Sequence, residues 1–335
     1  MMRRSGSASF ATLLQEFFTD YLVRQRALSP QTVASYRDAF LLLLRFAEER
    51  TGKSPTALQL ADINRDLVAG FLDHLERDRG NSVRTRNARL AAVRSFLKFA
   101  ARREFACLGV VENALAVPMK RFDRPTFEFL TREQMLAVMD APADTWIGHR
   151  DRLLIMMLYN TGGRVSEIIG IHLVDVILGE TAFVHLHGKG RKQRSVPLWI
   201  ATVKELRAWL RRNGDPGPTW PLLPTRSGGP MTRANAAERL QLAVDAAAAR
   251  CPELAGRTVT PHTIRHTTAM HLLQAGVDIS VIALWLGHES PSTTHQYIEL
   301  DLSTKERALA RLEAPQTRLK RYRPPDDLMR FLEAF

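Results

Sequence analysis

The chain has 335 residues, of which 45% are hydrophobic, and its 47 lysines and arginines exceed its 35 acidic residues to give a formal charge of +12. This length allows a substantial core and favours two domains over one. The positive charge favours a polyanionic partner, with nucleic acid as the leading class. A membrane surface is the weaker alternative, because the sequence has no lysine-rich amphipathic stripe, no lipidation signal and no uncharged run of about 20 residues.

Cysteine usage and the first residues set the expected compartment. Cys107 and Cys251 are the two cysteines. They lie far apart in the sequence and without metal-ligand spacing, so neither a disulfide scaffold nor a zinc knuckle is indicated. The N-terminal residues turn polar and lack the apolar stretch of a secretory signal. We therefore expect a cytoplasmic protein without a membrane partner.

Residues 1–105 are predicted to form a helical domain with four helices. The second helix should begin with Ser29 as its N-cap and Pro30 as its first residue. Apolar side chains then recur at helical spacing, which indicates a core-facing stripe. They are Val33, Tyr36, Phe40, Leu44 and Ala47.

The fourth predicted helix, about residues 82–103, is strongly basic and contains no acidic residue. Its cationic side chains are Arg84, Arg86, Arg89, Arg94, Lys98, Arg102 and Arg103. Apolar residues on the opposite face would anchor this helix in the domain, leaving the positive face for phosphate contacts or for entry into a major groove. A merely solvated basic face is the alternative interpretation.

The periodicity fails over residues 106–128, where prolines and basic residues predict an extended linker. A second domain, residues 129–314, should begin with a capping box at Thr131 and Gln134. Residues 181–187 and 193–197 are predicted to form a β-hairpin. Residues 315–335 form a tail that carries an apolar stripe at helical spacing. The stripe consists of Leu328, Phe331, Leu332 and Phe335.

Two motifs in the second domain present single cationic side chains on turns. Residues 161–167 read Thr-Gly-Gly-Arg-Val-Ser-Glu after an apolar helix. The glycines can form a tight turn that directs Arg164 from the start of the next helix. The glycine-rich hairpin turn carries Lys189, which can reach a backbone phosphate or a leaving oxygen. Each motif is weak evidence by itself.

Two further motifs add proton-transfer and nucleophilic groups. Thr260 and Pro261 predict a helix start that places His262 and Arg265 on one helical face, so both can face one anion. Histidine can move a proton near neutral pH, and arginine can hold two phosphate oxygens. Leu-Gly-His288 closes a short helix, and a tyrosine follows nine residues later.

In their order and spacing these motifs resemble the tyrosine recombinase (phage integrase) family, which includes integrase-like and Xer-like site-specific recombinases. The resemblance extends from about residue 10 to about residue 312. It is carried by Arg164 in Thr-Gly-Gly-Arg-x-Ser-Glu, Lys189 in Gly-Lys-Gly-x-Lys-x-Arg, His262-x-x-Arg265, Leu-Gly-His288 and Tyr297. It implies a mainly α fold with a small β-sheet, in which a helical SAM-like core-binding domain precedes a mixed α/β catalytic domain.

The resemblance also implies a role for each matched residue. Tyr297 would attack a DNA phosphate and form a 3′-phosphotyrosyl link. Arg164 and Arg265 would bind the nonbridging oxygens and stabilise the transition state. His262 would assist proton removal from Tyr297, and His288 would add a hydrogen bond to the phosphate or order the site.

Further roles fall on the hairpin and on the helix after Arg164. Lys189 would protonate the departing 5′ oxygen. Glu167 would orient the arginine and histidine groups without contacting the phosphate itself. Lys192 and Arg194 are candidate DNA contacts together with Arg84, Arg86, Arg89, Arg94 and Lys98 of the basic helix.

We expect no metal or other cofactor. Two arginines and a lysine would supply the charge that magnesium provides in many nucleases, and no carboxylate cluster surrounds the motifs. His185 and His187 could face one way on a strand, but no third ligand is apparent, so a structural role is favoured.

The expected partner is double-stranded DNA, bound by four protomers on paired sites, with other recombinases or accessory proteins as further partners. The apolar tail stripe could dock on a neighbouring protomer or pack on its own domain. Two alternatives remain: a monomeric type IB topoisomerase-like enzyme and a non-catalytic DNA-binding accessory protein of the same fold. Gly163 and Trp285 depart from the aliphatic residues that are common in the family, without removing a catalytic group.

Overall fold

The computed structural model describes residues 9–122, 128–188, 193–214 and 216–288, together with Thr294 and Tyr297. The chain divides into two compact units between Pro125 and Thr126. The first unit is helical. Its elements are α1 (Phe10–Glu16), which continues into a π-helical segment (Phe17–Gln25), α2 (Pro30–Thr51), α3 (Arg65–Arg77), α4 (Val83–Ala101) and α5 (Leu108–Leu115).

Local capping signals set the starts of these helices as predicted. The Ser29 hydroxyl accepts a hydrogen bond from the backbone N–H of Thr32, and Pro30 is the first residue of α2. Ser82 caps α4 in the same way through Thr85. A short polar side chain at this position satisfies one of the backbone donors that a helix start leaves open.

Helix α5 corrects the prediction of an extended linker over residues 106–128. Val111 and Ala114 are buried in the core of the first unit, so at least eight residues of the predicted linker belong to that unit. The helix escaped prediction because it is only two turns long, and burial against neighbouring helices rather than propensity accounts for such short helices.

The second unit combines helices with a small antiparallel sheet. Its helices are α6 (Arg132–Asp140), α7 (Trp146–Thr161), α8 (Val165–Ile169), α9 (Ile200–Arg212), α10 (Arg233–Ala247), α11 (Pro261–Gln274) and α12 (Ile279–Leu286). Its strands are β1 (Val176–Leu178), β2 (Ala182–His187) and β3 (Gln193–Pro197), in the order β1-β2-β3. The predicted hairpin and the capping box at Thr131 are confirmed, whereas β1 was not predicted.

Each unit has its own hydrophobic core. In the second unit, α7 lies at the centre, and Leu153, Leu154, Met157 and Leu158 are fully or almost fully buried. A smaller cluster on α11 and α12 surrounds Tyr297. Within the described ranges, none of the helices is long and apolar enough to cross a bilayer.

Candidate active site

The turn between α7 and α8 depends on two glycines. Helix α7 ends at Gly162, whose φ of 58° lies in the left-handed region. This backbone conformation favours glycine because glycine has no Cβ atom. A Cβ atom there would overlap the side chain of Leu286, and one at Gly163 would lie 2.6 Å from Ile168 Cδ1. The close packing explains why Gly163 suits this chain where the family commonly has an aliphatic residue, because the Ile168 side chain already fills the space.

The turn places Arg164 at the N-cap of α8, one turn before Glu167. The Glu167 carboxylate accepts hydrogen bonds from Arg164 Nη1 and from the Arg164 backbone N–H, both at 2.9 Å. The Glu167 side chain is 3% exposed, whereas that of Arg164 is 43% exposed. Glu167 therefore fixes Arg164 on its buried side, and the Arg164 side chain remains accessible to a ligand.

A third hydrogen bond to Glu167 comes from β3. Arg194 Nη2 lies 2.8 Å from Glu167 Oε2. Burial by itself would raise the pKa of Glu167, but the hydrogen bond and charge of Arg194, together with the bonds from Arg164, lower it below its ordinary value. Glu167 is therefore an anion at neutral pH and compensates two guanidinium groups.

Arg265 lies on the second turn of α11 and is 3% exposed. Its Nη1 donates to the Gly162 carbonyl at 2.6 Å, and its Nη2 donates to the Leu286 carbonyl at 2.8 Å. Burial and, secondarily, the charge of Arg164 lower the pKa of Arg265 to about 10. The side chain remains protonated at neutral pH and links the α7–α8 turn to the end of α12.

The tyrosine hydroxyl contacts an imidazole that the sequence analysis missed. Tyr297 Oη lies 2.9 Å from His266 Nδ1, and Tyr297 is 1% exposed. The His262 and His266 rings are 4.3 Å apart between centroids. Burial, followed by the charges of His262 and Arg265, lowers the pKa of His266 to about 4. At neutral pH the ring is uncharged, so Nδ1 can accept the hydrogen of the phenol.

His288 completes the cluster from the other side. Helix α12 ends at Gly287, with a φ of 65°, and the next residue places its ring parallel to that of Tyr297, with centroids 6.3 Å apart. His288 Nδ1 lies 2.7 Å from Thr294 Oγ1. Burial and the charges of Arg265 and Arg164 lower the pKa of His288 to about 4. A neutral ring beside Tyr297 can still donate one hydrogen bond.

The structure thus brings together most of the residues that the sequence singled out. Those in the cluster are Arg164, Glu167, His262, Arg265, His288 and Tyr297. Lys189 and Lys192 lie outside the described residues. His266 could have been found from the sequence, because it follows His262 by four positions and helical spacing therefore puts both on one face.

The basic helix α4 requires a correction. Arg86 is 5% exposed, and its Nη1 donates to Asn87 Oδ1 and the Pro118 carbonyl. Arg94 Nη2 donates to the carbonyls of Leu115 and Val117. These two guanidinium groups bind the end of α5 and the segment after it. Their hydrogen bonds are made within the first unit, which leaves them unsuited to the predicted role as DNA contacts.

The other basic residues of α4 are more accessible. Arg84 and Lys98 are exposed, and Arg89 is half-buried. Burial and the charge of Arg79 lower the pKa of Arg89. Fewer basic side chains of α4 are therefore available to DNA phosphates than the sequence suggests.

The histidines of β2 have partners within the protein. His187 Nε2 lies 2.8 Å from Asp175 Oδ1, and His185 Nδ1 lies 3.0 Å from Ser195 Oγ. Across the described part of the chain, no three His, Cys, Asp or Glu side chains are grouped as metal ligands would be. These hydrogen bonds connect the two strands β2 and β3 to each other and β2 to the segment before β1.

Family models match both units. The model described as "Phage integrase, N-terminal SAM-like domain" matches residues 15–104, and that described as "Phage integrase family" matches residues 128–303. These matches, together with the site, define the class as DNA breaking-rejoining enzymes of the tyrosine recombinase type. The chain belongs to the phage integrase family.

Relatives of similar length support this assignment. The chain is 43% identical over 330 residues to y4rC of Sinorhizobium fredii, which is provisionally named an integrase/recombinase, and 98% of each chain is covered. It is 33% identical over 292 residues to the tyrosine recombinase XerC of Pelobacter propionicus, covering 85% of this chain and 90% of the relative.

Solved structures confirm the predicted fold class. The XerH site-specific recombinase in a post-cleavage complex with its difH substrate matches with a TM-score of 0.68 and 20% identity, over 85% of this chain and 81% of the other. The Tn1549 transposon integrase in complex with a circular intermediate DNA matches with a TM-score of 0.67 and 17% identity, over 90% and 99%. At these identities the likeness concerns the fold.

Proposed function

We propose that this protein is a site-specific recombinase that cuts and rejoins DNA through a 3′-phosphotyrosyl link at Tyr297. One observation carries the proposal: the Tyr297 hydroxyl lies 2.9 Å from Nδ1 of a neutral imidazole, His266, within a cluster that also contains two guanidinium groups. A phenol with a pKa near 10 is a weak nucleophile at neutral pH. It needs an acceptor for its proton and a phosphate whose charge is compensated.

The arginines can compensate that charge in different ways. The Arg164 guanidinium is accessible and can bind nonbridging oxygens directly, whereas Arg265 is buried and already donates to two carbonyls. Preorganised cations at the position of a developing negative charge stabilise a transition state strongly. We propose that phosphate binding exchanges at least one of the carbonyl contacts of Arg265 for a phosphate oxygen.

The reaction has a defined balance of bonds. The phenol of Tyr297 gives its proton to the neutral His266 ring as its oxygen attacks the phosphorus. The bond to the 5′ oxygen breaks, and that oxygen takes a proton from Lys189. The new ester conserves the energy of the phosphodiester, so a 5′ hydroxyl of another strand can reverse the step without ATP. Because Tyr297 is 1% exposed, DNA must open the site before attack.

We propose an integrase or transposase role on a mobile element. The full-length match to y4rC, which is named an integrase/recombinase, supports the integrase role, and the fold shared with the Tn1549 transposon integrase supports the mobile element. We propose that four protomers act on a pair of sites. The crystal structure of a lambda integrase tetramer bound to a Holliday junction, which matches this chain with a TM-score of 0.61, supports that number of protomers. Lys98, Arg84 and Arg89 of α4 are the proposed phosphate contacts among the described residues.

The test is incubation of the protein with its own flanking genomic DNA, followed by mapping of protein-linked ends. We expect protein on 3′ phosphates and free 5′ hydroxyls at one sequence, and exchanged products when two copies of that sequence are present. Relaxation of supercoils without exchange would favour the topoisomerase alternative. DNA binding without any linked ends would overturn the proposal in favour of an accessory protein.

A further inference from the structure

Arg194 occupies an unusual place for a basic residue of a DNA-binding hairpin. It lies on β3 opposite Leu186 of β2, which is fully buried. Its side chain is 14% exposed. Nη2 donates to Glu167 at 2.8 Å, and Nε donates to the Trp285 carbonyl at 2.9 Å. Its charge and donors therefore point into the protein.

The contacts of Arg194 duplicate the link made by Arg265. Arg265 joins the Gly162 carbonyl to the Leu286 carbonyl. Arg194 joins Glu167, five residues after Gly162, to the Trp285 carbonyl, one residue before Leu286. Two guanidinium groups thus connect the α7–α8 turn and α8, which position Arg164, to the end of α12, which His288 follows.

Close packing on Gly287 fixes the Arg194 side chain further. A Cβ atom at Gly287 would lie 3.0 Å from Arg194 Nη1 and 3.2 Å from its Cδ and Cζ. The guanidinium therefore lies against the backbone that leads directly into His288. A planar fork can hold a carboxylate and a carbonyl at once, whereas an ammonium group acts as a single point charge.

We infer that Arg194 is a positioning residue for strand cleavage rather than a DNA contact: it holds Glu167 and the segment before His288 so that Arg164 and His288 face the same phosphate. This inference rests on the proposed function, because it assigns Arg194 a part in the chemistry at Tyr297. It also explains why Glu167 stays ionised although it is almost fully buried.

The test compares Arg194→Lys and Arg194→Gln with wild type on a nicked duplex that carries the mapped cleavage site. Single-turnover formation of the covalent adduct is measured at saturating DNA, and Kd is measured at several salt concentrations. We expect adduct formation to slow about tenfold or more for Arg194→Lys and further for Arg194→Gln. Kd and its salt slope should stay within about twofold of wild type.

Arg257→Lys is the matched control. Arg257 is also partly buried and bonds to Gln134 and Glu128, outside the cluster, so its replacement should leave the cleavage rate unchanged. In a Glu167→Gln background, Arg194→Gln should slow cleavage less than about threefold, because its partner is already neutral. The cycle measures the coupling between Arg194 and Glu167 in the cleavage rate, and the Tm of each variant shows whether a loss of stability accounts for a slower rate.

Two results would overturn the inference. Weaker DNA binding with a reduced salt slope and a normal rate at saturation would make Arg194 a phosphate contact. A normal rate with normal binding would leave it no role in cleavage. If the wild-type protein forms no adduct, the proposed function itself fails, and that result is distinct from both.

Discussion

Replacing Gly162 by alanine adds one methyl group at the junction of α7, α8 and α12. The φ of 58° costs an alanine about 1–2 kcal/mol. The new Cβ would also overlap Leu286, which is fully buried, and would lie 3.3 Å from Thr268 Cγ2. Overpacking of this kind costs about 1–3 kcal/mol. The sum of about 2–5 kcal/mol corresponds to a fall in Tm of about 5–15 °C for a unit of this size.

Two other glycines separate the backbone cost from the packing cost. Gly214 has a φ of 71°, and a Cβ atom there would have no other atom within 4 Å. Gly179 has equally open space without a positive φ. Gly214→Ala should lower the Tm by about 3–6 °C, and Gly179→Ala should leave it nearly unchanged. Thermal unfolding followed by circular dichroism measures all three.

Gly162→Ala should also slow strand cleavage well below its own Tm, because the Gly162 carbonyl accepts from Arg265. The reasoning would be refuted if Gly162→Ala lowered the Tm no more than Gly214→Ala, or if its cleavage rate equalled that of wild type.

The basic helix and the buried histidines give further predictions. Lys98→Gln should weaken DNA binding and reduce the slope of log Kd against log salt concentration by about one. Arg94→Gln should mainly lower the Tm, because Arg94 bonds to two carbonyls within the unit. Equal effects of the two changes on Kd would contradict this division. The lowered pKa values of His266 and His288, both about 4, mean that the unfolded chain binds more protons than the native protein between pH 6.5 and 4. Stability should therefore decrease as the pH falls through that window, with a drop in Tm of about 10 °C by pH 5. A constant Tm from pH 7 to pH 5 would exclude the shifts.

The sequence was sufficient for much of the site because its motifs combine local geometry with chemistry. Thr260 caps α11 and Pro261 begins it, so the helical spacing of His262 and Arg265 followed directly. The paired glycines predicted a tight turn before Arg164, and the structure has that turn.

Tertiary packing decided what the sequence could not. Arg84 and Arg86 are two residues apart and chemically identical. Arg84 is exposed, whereas Arg86 is buried and donates a hydrogen bond to the Pro118 carbonyl. Arg194 had the pattern of a hairpin cation, and only the fold places it on Glu167. Strand β1 has three residues, too few for an alternating pattern to be recognised.

The central claim is that the Tyr297 oxygen becomes covalently linked to DNA. The direct measurement is digestion of the trapped protein–DNA adduct, followed by mass spectrometry of the peptide that retains a nucleotide. The account predicts that this peptide contains Tyr297 with the nucleotide on its phenolic oxygen. It also predicts that Tyr297→Phe forms no adduct while binding DNA with nearly unchanged Kd. A nucleotide on another residue, or an adduct that persists in Tyr297→Phe, would contradict it.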